Sequence, residues 1–187
     1  FEKKVRRKMN SDFGYFGSEK AVLVGVIMVA TAYFIGNISP AIILGRKRNI
    51  DIKKEGSGNA GTTNVLRVMG KKAAIVTLLV DILKGVLAVV LGGVLGGKTV
   101  AAICVIAVFT GHVWPVFFGF KGGKGVATTF GALTGYNVIL GFSALGVVII
   151  GVLISKRMSF GSILGSVCFP VLTLFIDKDI FFEGCIM

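Results

Sequence analysis

The chain has 187 residues, of which 54% are hydrophobic and only 16% are charged, and its mean hydropathy is +0.85. Soluble domains carry about 25% charged residues, so this composition excludes a water-soluble globule and predicts an integral membrane protein. The net charge of +12 comes mainly from short basic segments between apolar runs. Such segments are typical of cytoplasmic loops that contact anionic lipid headgroups. They indicate a membrane surface, rather than nucleic acid, as the partner of the positive charge.

Apolar runs long enough to cross a bilayer as helices recur along the chain and predict an all-α, polytopic membrane helix bundle. The run 125–155 is long for one crossing and short for two, and Gly135-Tyr136-Asn137 offers a turn within it. The segment Asn37-Ile38-Ser39-Pro40 predicts a kink near the end of the first run. The apolar runs cover residues 21–45, 73–97, 99–120, 125–155 and 158–176, followed by a shorter piece at 180–187.

Loop charge predicts the topology. The segment 46–72 is strongly basic and should therefore be cytoplasmic. A double crossing of 125–155, with a short first helix, then places Lys98 and the acidic turn 177–179 outside. The further basic residues that this topology places inside are Lys121, Lys124, Lys156 and Arg157. The basic segment 1–8 conflicts with this arrangement, and we interpret residues 1–20 as an N-terminal extension whose first part is upstream or added sequence.

The first glycine-rich segment runs from Gly56 to Asn64 and is followed by Arg67. Its spacing imitates a dinucleotide-binding fingerprint, but no buried strand precedes it, so that interpretation is rejected. A glycine turn that leads into a helix favours a bound anion, and an arginine can bind two phosphate oxygens at once. The alternative is a polar loop with a helix cap at Thr63 or Asn64. The predicted anion-binding residues here are Gly56, Ser57, Gly58, Asn59, Gly61, Thr63, Asn64 and Arg67.

The second glycine-rich segment runs from Gly111 to Thr129. It is not a nucleotide-binding P-loop, because Phe118 occupies the position of the first glycine and Gly125 that of the magnesium-binding hydroxyl residue. Lysines at a glycine turn before a short helix nevertheless predict a second anion site on the same face, so that one interfacial pocket holds two phosphates. The predicted phosphate-binding residues here are Gly122, Gly123, Lys124 and Gly125.

Three polar residues lie inside apolar runs. Asp81 and Lys84 are three positions apart and can pair on one helix face, either to support a site or to dock a helix. His112 is predicted to be a hydrogen-bonded residue of helix packing rather than a general base. Because the sequence offers no paired acids, no Ser-His-Asp order and no metal-ligand set, we expect no metal. An enzyme with these residues would act by positioning and electrostatic stabilisation.

The two glycine-rich segments closely resemble the bacterial membrane glycerol-3-phosphate acyltransferase family known as PlsY. That family shows Gly-Ser-Gly-Asn-x-Gly-x-Thr-Asn-x-x-Arg in one cytoplasmic loop, here residues 56–67. It shows Gly-His-x-x-Pro-x-x-x-x-Phe-x-Gly-Gly-Lys-Gly-Val-Ala-Thr in the next, here residues 111–128. The Asp-x-x-Lys-Gly at 81–85 and the Gly-Asn-Ile-Ser-Pro at 36–40 also resemble the family, and the similarity covers residues 21–176.

The resemblance implies a seven-helix enzyme of the bacterial inner membrane, with residues 21–187 as one transmembrane catalytic domain and the site at the cytoplasmic face. It implies transfer of a fatty acyl group from acyl phosphate to the 1-hydroxyl of sn-glycerol 3-phosphate, giving lysophosphatidic acid and phosphate. No cofactor and no obligate protein partner are implied. A small transporter or lipid-binding membrane protein is the alternative, and two anion sites at one membrane face favour the enzyme.

The resemblance also implies roles for individual residues. Ser57 helps to bind phosphate, Arg67 and Lys124 bind the anionic substrates, and the glycine backbones hold the acyl phosphate. The donor phosphate accepts the proton of the attacking hydroxyl. The family has a third motif after its last span, and we expect the chain to reach Met187 within a truncated seventh helix, so no residue of that motif is assigned.

Overall fold

The computed structural model of the protein describes residues 18–176, and every regular element in that range is helical. This confirms the predicted all-α bundle. Three of its helical stretches are long and apolar enough to cross a membrane, namely Glu19–Lys47, Lys71–Phe118 and Val138–Ser155. The helices are α1 (Ser18–Asn37), α2 (Pro40–Lys47), α3 (Thr62–Met69), α4 (Lys71–Val113), α5 (Val126–Tyr136), α6 (Val138–Ser155) and α7 (Met158–Ile176).

Helix α4 reverses direction at Gly97, whose φ of 80° and ψ of −178° are not helical. We call its two arms α4a (71–96) and α4b (98–113). The arms pack against each other, since a Cβ at Gly92 would lie 2.6 Å from the sulfur of Cys104. The prediction of a helix over 99–120 is wrong beyond residue 113. Pro115 has no N–H and disfavours helix in the residue before it, so only the short 3₁₀ turn Val116–Phe118 follows.

The predicted kink lies where it was expected, because α1 ends at Asn37 and α2 begins at Pro40. Helix α1 begins at Ser18, so residues 18–20 belong to the first helix rather than to the extension expected over 1–20. Other expectations concern segments that lie outside the described residues, namely 1–8, 177–179 and 180–187.

The run 125–155 forms two helices, as predicted. Asn137 separates them and caps α6, since its Oδ1 accepts hydrogen bonds from the N–H groups of Ile139 and Leu140 at 3.0 and 3.2 Å. Helix α5 has 11 residues and is therefore about 16 Å long, roughly half the thickness of a bilayer core.

Close approaches at glycine fix α1 against α4b. A Cβ at Gly111 would lie 2.0 Å from the carbonyl oxygen of Tyr33, and one at Gly36 would lie 2.3 Å from that of Val108. Small residues allow such contacts between membrane helices. The end of α1, the end of α4b and the start of α5 therefore meet at one face of the bundle. We call it the loop face, since it carries segments 48–61 and 114–125.

Candidate active site

The two glycine-rich segments contact each other at the loop face. The ammonium of Lys53 donates a 2.6 Å hydrogen bond to the carbonyl oxygen of Phe118, and the guanidinium of Arg46 lies 5.2 Å from the centre of the Phe118 ring. A Cβ at Gly123 would lie 3.0 Å from the carbonyl oxygen of Ala60. Two segments that are far apart in sequence thus form one surface.

The first segment is folded around the buried side chain of Asn64. Its Oδ1 accepts a 2.8 Å hydrogen bond from the N–H of Ser57, and its Nδ2 donates to the carbonyl oxygens of Ile52 and Glu55 at 3.3 and 3.0 Å. Asn64 therefore orients the loop from within. The alternative of a side-chain helix cap is wrong, because α3 begins at Thr62 with Gly61 as its N-cap and without a side-chain cap.

Four of the predicted residues in this segment, Gly56, Ser57, Thr63 and Arg67, are exposed. The amides of Thr62 and Thr63 belong to the first turn of α3 and so have no acceptor within that helix. Gly56 and Gly58 have positive φ angles of 61° and 69°, which turn the chain ahead of the helix. The remaining predicted residues, Asn59 and Gly61, are half-buried.

The second segment packs Gly122 and Gly123 onto the end of α4b. The amide of Gly122 donates to the carbonyl oxygen of Val113 at 3.0 Å, and that of Gly123 donates to the carbonyl oxygen of His112 at 3.3 Å. These two amides thus have partners within the protein. Gly125 is the N-cap of α5 with a φ of 79°, and the first amides of α5 have no acceptor within the helix.

Lys124 is exposed, and its ammonium donates to the hydroxyl of Ser159 in the first turn of α7. The turn 156–157 therefore lies at the loop face, as the double crossing predicted. Sequence reasoning missed Ser159. The available signal was a hydroxyl residue directly after a basic turn that the topology placed beside Lys124.

An apolar groove with a volume of 640 Å³ begins at Gly123 and Lys124 and runs between α4b, α5, α6 and α7. Phe109, Phe130 and Val148 contribute to its walls. The sequence alone does not reveal this groove, because the groove depends on how four helices pack. Its lining is mostly apolar and includes one cation, Lys124, which precedes α5 at the loop face.

The loop face is electropositive. Desolvation lowers the pKa of Lys53, and the nearby cations Lys121 and Arg46 act in the same direction, against the attraction of Asp51. Cations that repel one another in this way are stabilised by a bound anion, so their clustering indicates an anion-binding surface. The geometry thus gathers cations from α2 and from both loop-face segments, 48–61 and 114–125.

Beneath this surface lies a buried polar network. The ammonium of Lys84 is 2.8 Å from Oδ1 of Asp81, 2.6 Å from the carbonyl oxygen of Ile38 and 2.9 Å from Nδ1 of His112. The hydroxyl of Thr128 is 3.2 Å from the same Nδ1. The expected pairing of Asp81 with Lys84 is present, and His112 joins it. Among the described residues, no group of His, Cys, Asp and Glu could hold a metal ion.

Comparison with known proteins identifies the chain's relatives. A family model described as glycerol-3-phosphate acyltransferase matches residues 26–187. A glycerol-3-phosphate acyltransferase of Thermoanaerobacter sp. (strain X514) is 50% identical over 153 residues, covering 81% of this chain and 75% of that protein. One of Clostridioides difficile (strain 630) is 42% identical over 163 residues, covering 82% of this chain and 78% of that protein.

Solved structures agree with this similarity. The crystal structure of PlsY (YgiH), an integral membrane glycerol 3-phosphate acyltransferase, in its glycerol 3-phosphate form has a TM-score of 0.78 and 29% identity, covering 87% of this chain and 83% of that chain. The lysophosphatidic acid form of the same protein has a TM-score of 0.76. The resemblance identified from the two glycine-rich segments is confirmed, and the chain belongs to the glycerol-3-phosphate acyltransferase family.

Proposed function

We propose that this protein transfers a fatty acyl group from acyl phosphate to the 1-hydroxyl of sn-glycerol 3-phosphate, giving lysophosphatidic acid and phosphate. The observation that carries the proposal is the position of Lys124 at the end of the apolar groove. A cation beside an apolar groove fits a substrate that has an anionic head and an alkyl chain. The similarity to proteins named glycerol-3-phosphate acyltransferase supports the acceptor.

The donor half of the site is assigned to Lys124, Gly125 and the first turn of α5. The phosphate of the acyl donor binds the ammonium of Lys124 and the open amides at the start of α5, while the alkyl chain lies in the groove. Charge-assisted hydrogen bonds of this kind are stronger than neutral ones. Because the amides of Gly122 and Gly123 already have carbonyl partners, these glycines serve close packing in this proposal.

The acceptor half is assigned to the exposed part of the first segment. Arg67 binds the phosphate of glycerol 3-phosphate with two guanidinium N–H groups, and Ser57 and the amides of Thr62 and Thr63 add neutral donors. Asn64 holds the loop in shape through its three hydrogen bonds. The contact between the two segments then brings acceptor and donor together, which supplies the positioning component of catalysis.

The chemistry proceeds without a protein base. The 1-hydroxyl oxygen attacks the acyl carbonyl carbon, the bond from that carbon to the phosphate oxygen breaks, and the departing phosphate takes the hydroxyl proton. The buried network supports this assignment, since Nδ1 of His112 and the carboxylate of Asp81 are both engaged by Lys84. Lys124 and the α5 amides stabilise the negative charge of the leaving phosphate. We propose no cofactor and no obligate protein partner for this reaction.

We place the protein in the inner membrane of a bacterial cell, with the loop face towards the cytoplasm. The basic segment 46–72 supports this orientation through the positive-inside rule. A site at that face meets a water-soluble acceptor from one side and a lipid-like donor from the bilayer. A transporter would instead need its anion site near the middle of the membrane.

The test uses the purified protein in detergent with acyl phosphate and glycerol 3-phosphate, following both phosphate release and lysophosphatidic acid. We expect both products to form in equal amounts, and no transfer from acyl-CoA. Transfer from acyl-CoA at an equal rate would contradict the proposed donor. Absence of transfer from either donor, together with uptake of glycerol 3-phosphate into proteoliposomes, would establish the transporter alternative.

A further inference from the structure

The buried network of Asp81, Lys84, His112 and Thr128 connects three helical segments, α4a, α4b and α5, directly beneath the site. Asp81 is ten residues into α4a, which places it about 15 Å from the start of that helix. The side chains of Lys84 and Asp81 are only 3% and 2% exposed. A charged pair at this depth is costly unless every donor is satisfied, so the partners of Lys84 determine what the network does.

Three acceptors lie within 3 Å of the Lys84 ammonium. They are Oδ1 of Asp81, which forms an ion pair with it at 2.8 Å, the carbonyl oxygen of Ile38 at 2.6 Å and Nδ1 of His112 at 2.9 Å. Ile38 directly follows the last residue of α1, where the helix dipole favours a cation. The break before Pro40 thus contributes one of the three acceptors, and the network links the end of α1 to both arms of α4.

The contact with Lys84 assigns the tautomer of the histidine. An ammonium has no lone pair and can only donate, so we assign Nδ1 of His112 as the acceptor and the ring proton to Nε2. Oδ1 of Asp81, itself an acceptor, lies farther from Nδ1, at 3.5 Å. Thr128 can donate to the same Nδ1, which adds a contact from the first turn of α5.

The opposite ring nitrogen faces the glycine turn. A Cβ at Gly123 would lie 2.3 Å from Nε2 of His112 and 3.0 Å from the carbonyl oxygen of Ala60. The Nε2–H group therefore lies against the backbone of the residue before Lys124, at the point where the two glycine-rich segments meet. Within residues 18–176, this nitrogen has no hydrogen-bond partner on the protein.

We propose that His112 is a positioning residue: Lys84 fixes its tautomer, and its ring supports the turn at Gly123 and so sets the position of Lys124 for phosphate. The inference rests on the proposed function, because it assigns the Lys124 turn to the donor phosphate. It differs from a role in helix docking alone. A docking residue determines how many molecules fold, whereas a positioning residue alters the geometry of the site in every folded molecule.

The experiment compares His112→Asn with His112→Gln. Asparagine places an amide oxygen near the position of Nδ1 and keeps an acceptor for Lys84, but it does not reach Gly123. Glutamine reaches towards the position of Nε2 and can present an N–H there. Thr77→Val is the matched control, since Thr77 is a buried residue of α4a whose hydroxyl bonds only its own helix, at the carbonyl oxygen of Ala73.

We expect His112→Asn to raise KM for acyl phosphate about tenfold, because a displaced Gly123 turn weakens the contact of Lys124 with the phosphate by about as much as one hydrogen bond contributes. Its thermal midpoint should stay near that of Thr77→Val. His112→Gln should restore most of that KM. The double variant Asp81→Leu/Lys84→Met removes both charges together, so we expect it to fold. Its KM for acyl phosphate should nevertheless be raised as in His112→Asn, because nothing then orients the ring of His112.

Two results would overturn the inference. One is a wild-type KM for His112→Asn. The other is a fall in kcat at unchanged KM in all three variants, since that pattern reports fewer folded molecules. Stabilisation of the folded protein by inorganic phosphate provides a readout that does not need turnover. If wild-type protein is inactive with acyl phosphate, the proposed function fails, while weaker phosphate stabilisation of His112→Asn still supports the positioning role and equal stabilisation refutes it.

Discussion

The ammonium of Lys124 donates a hydrogen bond to the hydroxyl of Ser159, which joins the glycine turn before α5 to the first turn of α7. Both residues are exposed, so an incoming anion can reach this ammonium without displacing buried structure. The same lysine lies at the opening of the apolar groove. This contact therefore lies at the boundary between the polar surface of the loop face and the apolar groove.

We expect Lys124→Ala to reduce acyl transfer at least about a hundredfold, because electrostatic stabilisation of a leaving group is worth several kcal/mol. The side chain is exposed, so the thermal midpoint in detergent should not change. Lys121→Ala is the matched control, since Lys121 is also exposed in the same loop, and it should lose much less activity. Near-wild-type turnover of Lys124→Ala would contradict its assignment to the donor phosphate.

We expect Arg67→Lys to raise KM for glycerol 3-phosphate, because an ammonium does not reproduce the two parallel hydrogen bonds of a guanidinium. Saturation curves for both substrates separate this effect from one on the donor. Arg157→Lys provides the control, as it changes another exposed arginine at the loop face and should leave both KM values unchanged. If Arg67→Lys saturates like wild type, Arg67 has a structural role.

We expect Asn64→Ala to lower the thermal midpoint as well as activity, since it leaves one amide and two carbonyl groups of the loop without their partner. Each such loss costs about 1–3 kcal/mol where the group is buried. Asn59→Ala, in a half-buried position of the same loop, should lower the midpoint much less. Equal midpoints for the two variants would show that Asn64 does not hold the loop.

Local sequence signals predicted most of the helices correctly. Run length, Pro40 and Asn137 act within a few residues, so the kink after α1 and the division of 125–155 could be read directly from the sequence. The basic turns likewise predicted that Arg157 and Lys124 share one face, which the contact with Ser159 confirms. The end of α4b was missed because apolar residues continue through 114–120, although Pro115 already disfavours helix there.

Relationships between helices could not be read in the same way. Asp81 and Lys84 are neighbours on one helix and were paired in advance, whereas His112 and Thr128 join them only because α4 reverses at Gly97. The sequence similarly predicted that the amides of Gly122 and Gly123 are available to bind phosphate. Their acceptors are carbonyl groups at the end of α4b, and no spacing rule reveals that the chain folds back onto them.

The apolar groove makes a prediction about alkyl chain length. Helix α6 begins at Val138, at the end of the bundle opposite the loop face, and ends at Ser155. Ala144 lines the groove and lies eleven residues before the end of α6, about 16 Å from the loop-face end of that helix. Ala144→Phe fills that distant part with a ring while the donor phosphate site remains open.

We therefore expect Ala144→Phe to raise KM for long-chain acyl phosphates and to leave KM for short-chain ones unchanged, because only the longer chain reaches the filled volume. Each lost methylene contact is worth about 0.8 kcal/mol, so the discrimination should increase with every added carbon beyond the blockage. Ala102→Phe, at a half-buried position of α4b outside the groove lining, serves as the control for a bulky residue in the bundle. A uniform rise in KM across all chain lengths, or the same profile for both variants, would show that the alkyl chain binds elsewhere.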